Sequence, residues 1–289
     1  MIKQIPIASI LNDKVLDFYK EGINITLIDG VPAFYPTPYL TSIMEYMVKA
    51  SKKSFGDFLI FGNDKKLNIA DLYKRSVLDN WIRYFLIWLM KNNHESAPIG
   101  NQNNCFRDMR KDVVGRMIQS LNSEVILDIG CDDIYSNENK YNARLVIGLD
   151  PYPTVNATNI TYLSPKNINC DPIQKIYGFG ESLPFKANTF DLIIYDGSFD
   201  HILDWKGALL QALSCLKKNG YVLISGLNWF GNESLIEDTY HFHHFASNEI
   251  ISFMKRYGLK VVEIEATPWK SQDFRDVNTI LFCKHSIDE

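Results

Sequence analysis

From residue 106 onward, short unbroken apolar runs alternate with longer stretches of helical periodicity. The runs Glu124–Ile129, Leu145–Leu149, Ile176–Phe179, Phe190–Tyr195 and Tyr221–Ser225 are rich in β-branched and aromatic residues. Such runs lack the polar-apolar alternation of a half-solvated strand, so they predict strands covered on both faces. Phe106–Leu121, Trp205–Lys217 and Ser247–Tyr257 carry apolar residues at helical spacing. Two final strands are predicted at Leu259–Glu265 and Asn278–Lys284. The segment between them, Ala266–Val277, has no helical pattern. Parallel neighbours need a long crossover, so these two strands should return antiparallel. The pattern predicts an α/β fold: a Rossmann-like, mostly parallel, seven-stranded sheet with an antiparallel last strand.

The first 105 residues read differently. Ile25–Tyr35 predicts a strand, an Asp-Gly turn and a second extended piece fixed by Pro32. Pro38–Lys53 and Asp71–Lys91 have helical stripes, the second rich in aromatics between Trp81 and Leu89. His94–Asn104 is polar, holds Pro98 and Gly100, and is the natural linker. The expected organisation is therefore a small, mainly helical N-terminal region at 1–105 followed by the α/β domain at 106–289. The aromatic stripe suits core packing, a lid, an interfacial membrane contact or a homodimer face.

Composition narrows the function classes. The chain of 289 residues has a net charge of −4, with no basic patch interleaved with aromatics. Nucleic acid is not the expected partner. The longest apolar run, Trp81–Met90, contains Arg83 and falls well short of the ~20 residues that span a bilayer. Five widely spaced cysteines form no Cys-x-x-Cys, and the N-terminus lacks a leader-like apolar core. These features predict reduced thiols, a cytoplasmic location, no transmembrane segment and no structural metal.

Candidate chemistry clusters where strands end. VILDIGCDD ends its strand on Asp128 and turns at Gly130, followed by Cys131 and Asp132. VIGLD ends on Asp150 before Pro151. A carboxylate at a second strand tip can accept hydrogen bonds from both hydroxyls of a ribose, or can simply cap the turn. Gly180-Glu181-Ser182-Leu-Pro-Phe forms the turn ahead of the Phe190–Tyr195 strand. Asp196, Gly197 and Ser198 follow that strand, at the sheet edge where open α/β folds bind ligands. Asp200 and His201 come next. An imidazole there can take a proton from a hydroxyl, or can be satisfied by a backbone carbonyl at a helix start. In YHFHHF, His241, His243 and His244 suit pocket lining better than a metal, because no carboxylate or thiol stands at ligand spacing.

The order of these segments resembles class I methyltransferases that use S-adenosylmethionine, of the small-molecule or glycan type. The resemblance covers residues 106–289 and is most specific from Ile176 to Ser225. It implies that S-adenosylmethionine is held by Asp128, Gly130, Cys131, Asp132, Asp150, Pro151, Gly180, Glu181, Ser182, Asp196 and Gly197. It further implies that Ser198, His243 and His244 line the substrate pocket, and that His201, beside Asp200, is the candidate catalytic base. One departure stands out. Asp132 occupies the place of a second glycine, where its carboxylate would repel the cofactor's carboxylate and attract its ammonium. Two functional readings follow. One is methyl transfer to a hydroxyl or amine of a small molecule or sugar. The other is a catalytically inactive, methyltransferase-like binding or scaffold protein.

Overall fold

The computed structural model describes residues 9–11, 25–28, 31–34, 102–131, 141–151, 160–163, 172–202, 204–228, 243–269 and 275–284. The expected helices at 38–53 and 71–91, with the aromatic stripe, lie outside the described residues, as do Asp132 and His241.

Among the described residues, ten strands form one sheet and three α-helices are found. In chain order they are β1 (Ile25–Ile28), β2 (Val31–Ala33), β3 (Val125–Ile129), β4 (Leu145–Asp150), β5 (Ile160–Leu163), β6 (Ile173–Tyr177), β7 (Phe190–Asp196), β8 (Leu216–Leu227), β9 (Leu259–Trp269) and β10 (Arg275–Lys284). The helices are α1 (Gln102–Gln119), α2 (Trp205–Cys215) and α3 (Ser247–Arg256). The spatial order is β5-β1-β2-β6-β4-β3-β7-β8-β10-β9. From β6 through β8 the pairing is parallel. β10 runs antiparallel to both β8 and β9. The seven strands from β6 to β9 are thus the mostly parallel sheet expected from the apolar runs, with its antiparallel last strand inserted between β8 and β9.

The structure differs from the sequence expectation at one edge. Residues 151–172 hold four prolines, a composition that predicts an irregular loop, yet Ile160–Leu163 forms β5. It pairs antiparallel with β1, Thr26 opposite Tyr162. A strand as short as this needs a partner edge to exist, and β1 supplies one from more than 130 residues upstream. β2 in turn lies parallel to β6, with Ala33 opposite Tyr177. The N-terminal strand pair therefore extends the main sheet. β6 also ends earlier than expected, at Tyr177. Gly178 turns its amide to the Asp150 carbonyl at 3.1 Å, and Phe179 is buried from the loop beyond.

Successive residues of β3 point to opposite faces, and each face has its own core. On one side, Val113, Val114, Met117 and Ile118 of α1 pack on Ile126, Val146, Leu192, Ile194, Leu223 and Leu281. On the other, α2 and α3 cover Leu127, Ile129, Ile147, Leu149, Ile193 and Tyr195. Every residue of β3 and β4 is buried. At roughly 1.5–3 kcal/mol per large aliphatic side chain, this burial holds the central strands rigidly under the edge they present. Among the described residues no helix is long and apolar enough to cross a membrane.

The start of α3 is capped from a distance. Its own N-cap, Ala246, offers no side-chain acceptor. Instead Asn228, at the end of β8 with φ +63, accepts the Ser247 amide on its Oδ1 at 2.8 Å. Its own amide donates to the Phe245 carbonyl at 2.9 Å. Asn tolerates the left-handed backbone better than other side chains. Asn228→Ala should lower stability by about 1–2 kcal/mol in urea denaturation, from the lost cap and the strained φ. Asn228→Gly should lose less, because only the cap is removed.

Candidate cofactor site at the carboxyl edge of the sheet

The chain runs from β3 outward to β4 and β6, then crosses to β7 on the other side of β3. The crevice between the β3 and β7 tips is therefore a topological switch point, where open α/β sheets bind ligands. Four tips, of β6, β4, β3 and β7, span roughly 14 Å at ordinary strand spacing. All the expected cofactor residues that the structure describes lie at these tips.

At the β3 tip, Asp128 is only 3% exposed. Its Oδ2 accepts a short hydrogen bond from the Tyr141 hydroxyl. Burial, then the charge of Asp128, pushes the Tyr141 phenol well above its usual range, so it remains a donor. Gly130 follows with φ +74, its amide donating to the Leu149 carbonyl at 2.7 Å. A Cβ on Gly130 would stand 2.2 Å from the Ser198 Cβ. The Ser198 hydroxyl in turn donates to the Ile129 carbonyl. The β3 and β7 loops are thus tied face to face. Ser198, expected in the substrate pocket, spends its hydroxyl on this tie. Cys131, next in the chain, is buried.

At the next tip, Asp150 ends β4 and is 7% exposed; Pro151, lacking an amide hydrogen, follows. The β6 loop packs alongside. A Cβ on Gly180 would meet Ile129 at 3.3 Å and Ile202 at 3.4 Å, so backbone comes close to the neighbouring strands there. The Ser182 amide donates to the Phe179 carbonyl at 3.0 Å, closing the turn. Glu181 reaches across to the start of α2, accepting the Asp204 amide at 3.4 Å, and Asp204 caps that helix through the Gly207 amide at 3.0 Å.

At the β7 tip, Asp196 meets a residue that the sequence reading did not single out. Arg110 of α1 places Nη1 3.2 Å from Asp196 Oδ1. Gly197 (φ +68) lies directly beneath the guanidinium: a Cβ there would sit 1.9 Å from Nη1. Gly226, at the end of β8 with φ +98, lies against Gly197. The two glycines make the hollow in which Arg110 rests. Arg110 stands three and four residues before Val113 and Val114, on the buried stripe of α1. A cation continuing an apolar stripe was the available signal. Tyr141 had none, since its surroundings are polar and aperiodic.

The candidate base lies just beyond. A single 3-10 turn, Phe199–His201, follows Ser198. The His201 amide donates to the Ser198 carbonyl at 3.1 Å, and its Nε2 stands 3.8 Å from Asp200 Oδ1. Opposite, the His243 amide donates to the Asp200 carbonyl at 3.2 Å. The His243 ring packs on Phe245, which packs on Phe199 at 4.8 Å between centroids. Asp200, His201 and His243 are thus brought together next to the β7 tip. His244 is half-buried one residue further on.

S-adenosylmethionine carries a sulfonium, an ammonium, a carboxylate and a ribose diol. The edge offers buried carboxylates on β3 and β4 and a half-buried one on β7 for the cationic groups and the diol, and one guanidinium for the anionic group. Its glycines let the β3 and β7 loops and Arg110 approach one another closely at the crevice. This donor set fits the cofactor.

Comparisons with known proteins agree. Residues 103–264 match the family described as a methyltransferase domain. A stretch of 93 residues is 29% identical to the uncharacterized protein YafE of Escherichia coli strain K12, over 29% of this chain and 45% of that protein. The chain thus spans less than half the length of that relative. The N-methyltransferase NodS of Bradyrhizobium japonicum WM9, solved with S-adenosyl-L-homocysteine, has a similar fold: TM-score 0.53 at 17% identity, over 70% of this chain and 99% of that one. The 1,6-didemethyltoxoflavin-N1-methyltransferase of Burkholderia thailandensis aligns with a TM-score of 0.48 at 12% identity, over 72% of this chain and 87% of that one. With the family match running from α1 into β9, across more than half of its length, the chain belongs to the methyltransferase domain family, whose cofactor is S-adenosylmethionine.

Proposed function

We propose that this protein transfers a methyl group from S-adenosylmethionine to a hydroxyl or amine of a small molecule or sugar. The observation that carries this reading is the β3–β7 crevice, where the tight turns at Gly130 and Gly197 bring Asp128, Asp150 and Asp196 to one edge. Asp150 accepts the ribose hydroxyls. The Gly130 turn borders the amino-acid tail, and the Gly180-Glu181 turn borders the base. When bound, the cofactor supplies an electrophilic methyl carbon on a sulfonium. The protein's main task is then to align an acceptor atom with that carbon, and removal of the acceptor's proton adds a smaller factor.

His201 or His243 takes that proton. Both flank Asp200, and both adjoin the mouth of the crevice. A small acceptor carrying a hydroxyl or amine suits this pair better than a nucleic acid, because the chain has net charge −4 and its sequence holds no basic patch interleaved with aromatics.

Calorimetric titration with S-adenosylmethionine and S-adenosylhomocysteine tests the reading. Micromolar affinity is expected, about −8 kcal/mol, followed by transfer of labelled methyl to members of an acceptor panel. Absence of binding in folded, cofactor-free protein would leave the scaffold reading. With an acceptor in hand, His201→Ala or His243→Ala should lower kcat by roughly 10²–10⁴-fold and leave the S-adenosylhomocysteine affinity within twofold. Full activity in both variants would remove the general-base role.

A further inference from the structure

The Arg110 guanidinium makes an incomplete set of contacts. Nη1 faces Asp196 end-on at 3.2 Å. Nε is buried, and has no hydrogen-bond partner among the described residues. The side chain as a whole is 16% exposed. A buried donor without an acceptor is costly, and native proteins rarely keep one that no ligand satisfies. The free edge of the guanidinium, Nε with Nη2, is the edge that binds a carboxylate through two parallel hydrogen bonds.

The surroundings say which carboxylate. Arg110 lies over Gly197, and Ser198 packs against Gly130, so the guanidinium stands beside the switch-point crevice. That crevice is lined with acid: Asp128 and Asp150 are buried at adjacent tips. A zwitterionic amino-acid tail entering it finds acceptors for its ammonium in excess. Its carboxylate meets repulsion unless a cation is fixed at the same place.

We propose that Arg110 anchors the α-carboxylate of the cofactor's amino-acid tail through Nε and Nη2, with Asp196 holding the guanidinium by Nη1. In this way the helix preceding β3 supplies the positive charge that the acidic tips of β3 and β4 lack. Asp196 is a positioning residue: it keeps the fork facing the crevice. This inference rests on the reading of the crevice as the S-adenosylmethionine site.

Two ligands that differ in the tail separate the two ideas. S-adenosylhomocysteine carries the amino-acid tail; 5′-methylthioadenosine keeps the adenosyl thioether and lacks it. The wild-type protein should bind the first more tightly. In Arg110→Met that advantage should shrink by tenfold or more, with the affinity for 5′-methylthioadenosine changed less than threefold. Arg110→Lys keeps the charge without the fork and should recover part of the advantage; it also serves if the Met variant fails to fold. Asp196→Asn should shrink the advantage by a smaller factor. If Arg110→Met and Arg110→Lys leave the ratio of the two affinities at its wild-type value, the anchor role is overturned while the cofactor site stands. If the folded wild-type protein binds neither ligand, the cofactor reading falls and the anchor with it.

Discussion

Gly130→Ala should abolish useful cofactor binding, raising the dissociation constant for S-adenosylhomocysteine by at least ~100-fold, and should also lower stability by about 2–4 kcal/mol. Two separate physical costs add here. Gly130 has φ +74, a left-handed conformation that costs an alanine about 1 kcal/mol. The added Cβ would also fall 2.2 Å from the Ser198 Cβ, well inside any allowed contact. The Ser198 side chain cannot yield freely, because its hydroxyl is bonded to the Ile129 carbonyl. The β3 and β7 loops must therefore part, and the crevice between them changes shape. The double variant Gly130→Ala/Ser198→Gly separates the two costs. It relieves the clash and leaves the strained φ, so it should be more stable than the sum of the single effects allows. Urea denaturation and calorimetry on the four proteins measure both quantities. If Gly130→Ala binds as the wild type does, the β3 turn is a plain strand-to-helix connection and the crevice is not the cofactor site.

The contrast between what the sequence disclosed and what it concealed follows the range of the interactions. β3, β4, β7 and the Tyr221–Ser225 part of β8 read as apolar runs because helices cover both of their faces, and such runs are visible in any short window. The antiparallel return of β10 beside β9 followed from the short, helix-free link before it; its place between β8 and β9 did not. β5 escaped notice because Ile160–Leu163 is stable only against β1, and that pairing crosses more than a hundred residues. The early end of β6 has a similar origin. Phe179 is as apolar as a strand residue, but its burial comes from loop packing after Gly178 has left the ladder.

The site was legible where it depends on chain position. Asp128, Gly130, Asp150, Gly180, Asp196 and Gly197 each follow directly on an apolar run, and parallel strands bring such positions to one edge. Contacts between elements were not legible. The tie from Ser198 to Ile129 joins residues on separate strands, and the Tyr141 hydroxyl reaches Asp128 from a segment without periodicity. Arg110 lay in between. Its spacing from Val113 and Val114 is in the sequence, but its ion pair with Asp196 needs α1 to cross the sheet at one particular height.

Asp150→Ala should weaken S-adenosylhomocysteine binding by roughly 10²–10³-fold with little change in stability. A carboxylate that accepts both ribose hydroxyls makes two charge-assisted hydrogen bonds, each about 1.5–3 kcal/mol, and each 1.4 kcal/mol is tenfold in affinity. Stability should hold because the backbone carbonyl of Asp150, not its side chain, receives the Gly178 amide. Asp150→Asn keeps one acceptor oxygen and should fall between the two. An analogue lacking the ribose 2′-hydroxyl completes the test. It should bind the wild-type protein more weakly than the parent ligand does, and should bind Asp150→Ala about as well as the parent ligand does, since the partner of that hydroxyl is already gone. If the alanine variant instead loses affinity for both ligands in proportion, Asp150 does not touch the ribose. If it loses none, the carboxylate serves only the turn into Pro151, and the diol is held by another residue at the edge.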